Sequence, residues 1–294
     1  MPNTEINEKS KTSSIVNVAS IPQRSPFRYP GGKTWLIPIV RRWLRQDETS
    51  PNTLIEPFAG GAIVSLTAAF ESLVNKVVMV ERDEEVAAVW ETILGKNNNW
   101  LANRIYEFEL SHENVNAEFE KADKTARDIA FCTILKNRTF HGGIITRGSG
   151  FLKNGENGKG IASRWYAKTL RNRILAIDTI KEKINFISGD AFEIIQYNLL
   201  DTSTYFFIDP PYTVAAKRLY TYFDINHEQL FRLATMVKGK FMLTYDDTPE
   251  IRQLAERYNL NYRSVPMKTT HHLEKNEIII SDNFNWWSNR GIRD

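Results

Sequence analysis

What this chain can fold into is limited most by where its short apolar runs stop. Thr53-Leu-Ile-Glu-Pro57, Lys76-Val-Val-Met-Val80, Ile184-Asn-Phe-Ile-Ser188, Thr204-Tyr-Phe-Phe-Ile208 and Phe241-Met-Leu-Thr-Tyr245 each run for about five residues. They lead into Glu56-Pro57, Glu81, Gly189-Asp190, Asp209 and Asp246-Asp247. Runs of this length, rich in β-branched and aromatic residues, read as strands buried on both faces. Between the first of them lie stretches of helical period. Trp35, Ile39 and Trp43 mark a helix over Thr34–Arg45, a second helix runs from Ala62 to near Leu73, and a third ends near Leu94. Strands alternating with helices predict a parallel sheet covered on both sides. Glu277-Ile-Ile-Ile280 reads as a further strand near the end.

The alternation fails between residues 97 and 183. Helical patches occur at Trp100–Leu110 and Lys124–Leu135, and Asn137–Gly160 holds seven glycines in a basic stretch that reads as a long hairpin or loop. Long ordered loops inside a compact chain are usually functional. The division expected is therefore a flexible N-terminal arm over 1–24, one sheet domain formed by 25–96 and 184–294, and an inserted unit over 97–183. From Lys136 to Lys183 there are eleven Lys or Arg against three Asp or Glu, a net charge of +8, while the remaining residues carry −5. A basic block on a mildly acidic body suggests a polyanion surface; a solvated helical face is the other reading. Cys132 is the only cysteine, which excludes a disulfide framework, and five scattered histidines give no zinc-site spacing. No apolar run approaches the roughly 20 residues that span a bilayer, and no apolar leader segment is found, so a cytoplasmic protein is expected.

Three constellations carry chemistry. In Ile55-Glu-Pro-Phe-Ala-Gly-Gly-Ala62 a strand ends, a glycine pair turns, and a helix begins. Ligands of open α/β sheets lie beyond such strand ends, and glycine lets the backbone approach them closely. The next strand ends in Glu81, whose carboxylate can accept from the hydroxyls of a ribose. A tight turn and a solvated acid would explain either alone; together they favour a nucleoside cofactor. Gly31-Gly-Lys-Thr34 invites a phosphate-loop reading, but Phe27 stands where that loop needs its first glycine and no strand precedes it. Asp209-Pro-Pro-Tyr212 follows an apolar strand directly. The prolines fix the backbone, an Asp carboxylate and a Pro carbonyl offer two acceptors for an amino group, and the Tyr ring can stack on a base. In isolation the tetrapeptide is also a proline turn that ends a strand.

In chain order, Pro26-Phe-Arg-Tyr-Pro-Gly-Gly-Lys33, Leu54-Ile-Glu-Pro-Phe-Ala-Gly-Gly61, Glu81-Arg-Asp83, Gly189-Asp-Ala-Phe192 and Asp209-Pro-Pro-Tyr212 resemble the motifs of Dam-type (alpha-class) DNA adenine N6-methyltransferases. Asn137-Arg138 and the glycine-rich stretch after it resemble the start of that family's DNA-contacting hairpin, and Thr244-Tyr-Asp-Asp-Thr248 its later strand-end motif. The resemblance spans residues 26–285. Glu81 stands where many relatives have Asp, and residues 97–183 match only at the hairpin start, so no target sequence carries over. The family implies a Rossmann-like α/β methyltransferase sheet with an inserted, mainly helical DNA-recognition domain carrying a hairpin loop. It implies methyl transfer from S-adenosylmethionine to the N6 amine of an adenine flipped out of double-stranded DNA, with no metal. Tyr29, Lys33, Phe58, Gly60, Glu81, Asp190, Phe192 and Asp209 would line the cofactor pocket, Lys33 meeting the methionine carboxylate and Glu81 the ribose. Asp209, Pro210 and Tyr212 would hold the target base, and Arg28, Arg138 and Arg147 would contact DNA. A bacterial or phage origin and a companion restriction endonuclease fit the same family. A cytosine-N4 or RNA methyltransferase of this fold, or a non-catalytic nucleic-acid-binding module, are the rival readings.

Overall fold

The computed structural model describes residues 20–28, 31–48, 50–146, 148–212, 221–222, 224–268 and 274–287. The expected arm up to residue 19, and the candidate residues Tyr29 and Arg147, lie outside them.

Among the described residues, seven strands form one sheet: β1 (Thr53–Glu56), β2 (Lys76–Glu81), β3 (Ile184–Ser188), β4 (Thr204–Ile208), β5 (Lys240–Asp246), β6 (Asn261–Lys268) and β7 (Glu274–Ser281). Their order across the sheet is β3-β2-β1-β4-β5-β7-β6. The first five are mutually parallel, as expected. The sheet as a whole is mixed, because β7 runs antiparallel between β5 and β6. β6 was not legible as a strand: Asn261-Tyr-Arg-Ser-Val-Pro-Met-Lys268 has no apolar run, and it sits at the sheet edge, where a proline such as Pro266 is tolerated.

Alternate residues of the strands feed two cores. Leu54, Val77, Met79, Tyr205, Phe207, Met242 and Ile279 face one side. Ile55, Phe206, Ile208, Phe241, Leu243, Ile278 and Ile280 face the other. The period of two in side-chain direction makes a continuous apolar run serve both layers at once. The first side is covered by α1 (Ile37–Leu44), α2 (Ile63–Phe70) and α3 (Glu84–Leu94). The second is covered by α8 (Ala191–Tyr197), α9 (the helix His227–Met236) and α10 (the helix Pro249–Arg257). The fold is thus a doubly wound, Rossmann-like α/β sheet. The helix expected over Thr34–Arg45 opens as a 3-10 turn, Lys33–Leu36, and becomes regular at Ile37, where Pro38 suits the first turn.

Between α3 and β3 the chain leaves the sheet and forms α4 (Asn98–Glu107), α5 (His112–Glu120), α6 (Ala126–Thr139) and α7 (Ala167–Asp178). Leu101, Ile105, Phe131, Leu135, Leu170 and Ile174 from these helices are buried in the same cluster as the first face of the sheet. α6 starts at a reciprocal cap between Thr125 and Asp128. The glycine-rich stretch closes as a hairpin: Phe140 bridges Phe151, His141 N–H donates to Gly150 at 2.9 Å and Leu152 N–H to Thr139 at 2.8 Å. Phe140 and Phe151 pack edge to face at 5.2 Å, with Phe119 and His112 around them, so the hairpin has an aromatic base. Among the described residues, no helix is long and apolar enough to cross a membrane.

Candidate functional site

The strand order reverses between β1 and β4, and ligand crevices of open α/β sheets form at the carboxyl ends of strands where the order reverses. Two of the three constellations sit there: the loop after β1 carries Phe58 and Gly60, and Asp209 follows β4. The β1 loop is held tightly. Gly60, at φ +46°, donates its N–H to Glu81 Oε2 at 2.9 Å, and its carbonyl accepts from the indole of buried Trp90 at 2.9 Å. Ala62 caps α2 in the left-handed region at φ +50°, a conformation a non-glycine residue adopts at a cost of roughly 1–2 kcal/mol.

Glu81 accepts three backbone N–H groups, from Gly60 at 2.9 Å and from Arg82 and Asp83 at 2.8 Å. A carboxylate offers about four lone-pair positions, so Glu81 has room for about one further donor rather than two. Burial pushes its carboxyl up to about 7, against the pull of those backbone donors. Asp190 caps α8 by accepting from Phe192 N–H at 2.8 Å and lies 3.6 Å from the Arg82 guanidinium. The rings of Phe192 and Phe58 meet edge to face at 6.3 Å. Phe58, Gly60, Glu81, Asp190 and Phe192 thus belong to one connected edge.

Asp209 is the centre of a second, more polar group. Its Oδ1 receives Thr244 Oγ1 at 2.7 Å, Lys33 Nζ at 3.0 Å and the Tyr212 hydroxyl at 3.1 Å. Among the described residues no donor meets Oδ2. Lys33, 3% exposed, also donates to Gly31 carbonyl at 2.9 Å, lies 3.5 Å from Glu277 Oε2, and stands 4.9 Å from the centre of the Tyr212 ring. Burial alone would lower the Lys33 pKa, but Asp209 and Glu277 outweigh it and hold it above its ordinary value. The nearer carboxylate, Asp209, takes most of that charge. Glu277 is left to burial, which pushes it up to about 7 with Lys33 opposing and Asp209 adding to the rise. Glu56 at the end of β1 is pushed up to about 8 by burial, although Ser65 N–H donates to it at 2.9 Å. Behind Tyr212, Tyr245 packs at 5.8 Å and its hydroxyl meets His227 Nδ1 at 2.7 Å.

The sequence pointed to Lys33, Asp209 and Tyr212, and they come together. It placed Lys33 toward a ligand carboxylate; in the structure the ammonium spans Asp209 and Glu277. Glu277 and Tyr245 were missed, although Glu277 left one signal, a carboxylate directly before three isoleucines. Because β7 is antiparallel, its beginning reaches the edge where the parallel strands end, and Glu277 pairs in register with Asp246. Arg138, read as a DNA contact, is 6% exposed, with its guanidinium donating to the Pro26 carbonyl. Its neighbours Arg173, Arg28 and Arg164 add to burial in lowering its pKa to about 9. Arg28 is half-buried, and its backbone is tied to Asn137 by bonds of 2.8 and 3.1 Å.

Residues 29–269 match the family model described as D12 class N6 adenine-specific DNA methyltransferase. No curated protein matches the chain. Among solved structures, a proposed RNA methyltransferase from Pyrococcus horikoshii is 12% identical, with a TM-score of 0.39 over 87% of this chain and 84% of that one. The rRNA methyltransferase AviRa from Streptomyces viridochromogenes is 13% identical, with a TM-score of 0.39 over 86% and 85%.

Proposed function

The chain belongs to the D12 class N6 adenine-specific DNA methyltransferase family, and on that premise we propose that it moves a methyl group from S-adenosylmethionine to the N6 amine of an adenine flipped out of duplex DNA. The convergence of Thr244, Lys33 and Tyr212 on Asp209 Oδ1 carries this reading, because it turns Oδ2 into an acceptor at a strand-order reversal.

The chemistry of the β1–β3 edge fits the methyl donor. Glu81 has capacity for a ribose hydroxyl, and the Phe58 and Phe192 rings offer an apolar wall for an adenine; Lys33 would meet the donor's carboxylate only by giving up part of its pairing with Asp209 and Glu277. When bound, S-adenosylmethionine supplies a methyl group already activated on a sulfonium. The chain's own task is to align and desolvate. Asp209 Oδ2 and the Pro210 carbonyl accept the two N–H bonds of the amine, which favours a pyramidal nitrogen and aims its lone pair at the donor side. The Tyr212 ring backs the base, as a flipped nucleotide requires. Residues 97–183, with their basic hairpin, serve as the target-recognition unit, and Arg28 contacts the duplex from the segment that Asn137 and Arg138 hold.

The test is a tritium-transfer assay on duplex DNA, single-stranded DNA and RNA, followed by nucleoside analysis. N6-methyladenine in duplex DNA is expected, and Asp209→Ala should lower transfer by about 10³-fold or more in a chain that still folds, with a lower melting temperature because the Lys33 ammonium loses its nearer partner. N4-methylcytosine, a preference for RNA, or near-normal turnover in Asp209→Ala would each refute the reading.

A further inference from the structure

Tyr212 has one hydroxyl proton and two carboxylates at the same distance, Asp209 Oδ1 at 3.1 Å and Glu277 Oε2 at 3.1 Å. One proton satisfies one acceptor. Which carboxylate receives it fixes whether Tyr212 helps to lock Asp209. Glu277 is 3% exposed on β7, with Lys33 3.5 Å away. Nothing in its surroundings requires a carboxylate for packing: the strand's stability comes from Ile278, Ile279 and Ile280, each fully buried. Glu277 shares the Lys33 ammonium with Asp209, which lies closer to it at 3.0 Å.

We propose that Glu277 is a positioning residue for methyl transfer, acting through the Tyr212 hydroxyl to hold Asp209 Oδ1 and leave Oδ2 to the substrate amine. The proposal rests on the reading that Asp209 accepts that amine. When Glu277 carries a proton it donates to the Tyr212 oxygen, and Tyr212 in turn donates to Asp209, so the three groups form a directed chain. Among the described residues, Lys33, Asp209 and Asp246 are the charged groups that face Glu277, and its carboxyl, raised by burial to about 7, is protonated over a useful fraction of neutral conditions. A donating Glu277 therefore leaves the Tyr212 hydroxyl proton to Asp209, on a ring that Lys33 and Tyr245 flank at 4.9 and 5.8 Å. Alignment of this kind acts on rate more than on affinity: a displacement of about 1 Å near a reacting centre can cost on the order of a hundredfold.

The experiment measures single-turnover methyl transfer, the dissociation constants of S-adenosylmethionine and of duplex DNA, and the melting curve, for Glu277→Ala, Glu277→Gln, Tyr212→Phe and the Ala/Phe double variant. Glu277→Ala should slow transfer by about tenfold or more with both dissociation constants within about threefold of the parent. Glu277→Gln keeps an amide that can donate to Tyr212 and should recover the rate to within about threefold. In the Tyr212→Phe background, removing Glu277 should cost little more, because the hydroxyl it acts through is gone. Any of three results overturns the proposal: a normal rate in Glu277→Ala, no recovery in Glu277→Gln, or an undiminished loss in the Phe background. If Glu277→Ala does not fold, Glu277→Met, of similar volume and with no strong donor or acceptor, replaces it with the same outcomes. Asp209→Ala is run alongside: if it retains transfer, the reading of Asp209 has failed, whereas its loss beside a normal Glu277→Ala isolates the failure to Glu277.

Discussion

Glu56 lies at the end of β1, 4% exposed, with its carboxyl raised to about 8, while Glu81 and Glu277 are raised to about 7. All three shifts have burial as their largest cause, and all have the same sign. A carboxyl whose folded value lies above its unfolded value, near 4.5, binds protons in the folded chain that the unfolded chain has released. The stability it contributes is fully present below about pH 4.5 and is lost as pH rises through the folded value. The unliganded protein should therefore melt at a lower temperature at pH 8.5 than at pH 6, the reverse of what salt-bridged carboxylates produce. Glu56→Gln should flatten that decline, because the amide has no proton to lose; for a fully buried group the difference is on the order of a few kcal/mol. A melting series from pH 5 to 9 on both proteins decides it, and equal slopes would show that Glu56 is ionised without penalty.

At the scale of elements, the junction between the N-terminal segment, α6 and the hairpin depends on Asn137. Its side chain accepts from Arg28 N–H at 2.8 Å and donates to Arg28 carbonyl at 3.1 Å and Gly143 carbonyl at 2.9 Å, all at 1% exposure. Gly143 at φ +75° completes the joint, since a methyl group there would lie 2.5 Å from the Arg28 carbonyl oxygen. Asn137→Ala strands three polar groups, the Gly143 carbonyl among them buried, and should cost about 1–3 kcal/mol in chemical denaturation, with the hairpin amides losing hydrogen-exchange protection first. A loss below about 0.5 kcal/mol would mean that water replaces the side chain. This joint was not legible in the sequence, because Asn137 and Arg28 lie 109 positions apart and neither period nor composition reports such a contact. The parallel strands were legible, since each has a continuous apolar run and a polar or glycine stop. α5 was not: His112-Glu-Asn-Val-Asn-Ala-Glu-Phe-Glu120 buries little beyond Val115 and the Glu118 side chain, so it shows almost no apolar stripe. In the site, Lys33, Glu81, Asp209 and Tyr212 could be found because each adjoins a glycine turn or a strand end. Glu277 escaped notice because only the reversed direction of β7 makes a strand's first residues part of that edge.

Over the whole molecule, charge is divided unevenly, with +8 between Lys136 and Lys183 and −5 elsewhere. Lys153, Lys159 and Lys168 are exposed on that basic unit. Each phosphate neutralised contributes about −0.9 to the slope of log affinity against log salt. Replacing these three lysines with alanine should lower the slope for duplex DNA by about 2–3 and weaken all sequences alike, without moving the methylated site. An unchanged slope in a salt titration would place the DNA on another face. The placement of β7 has a further consequence, which concerns time rather than space. β5 and β6 both have to wait for a strand that is synthesised after them, since β7 is what joins them. A growing chain that has not yet released residues 274–281 from the ribosome has an open β5 edge and a β6 with no neighbour. It has Asp209 and Tyr212 but lacks Glu277. A nascent or clipped chain without β7 would then transfer methyl groups more slowly and leave its sheet edge open to aggregation.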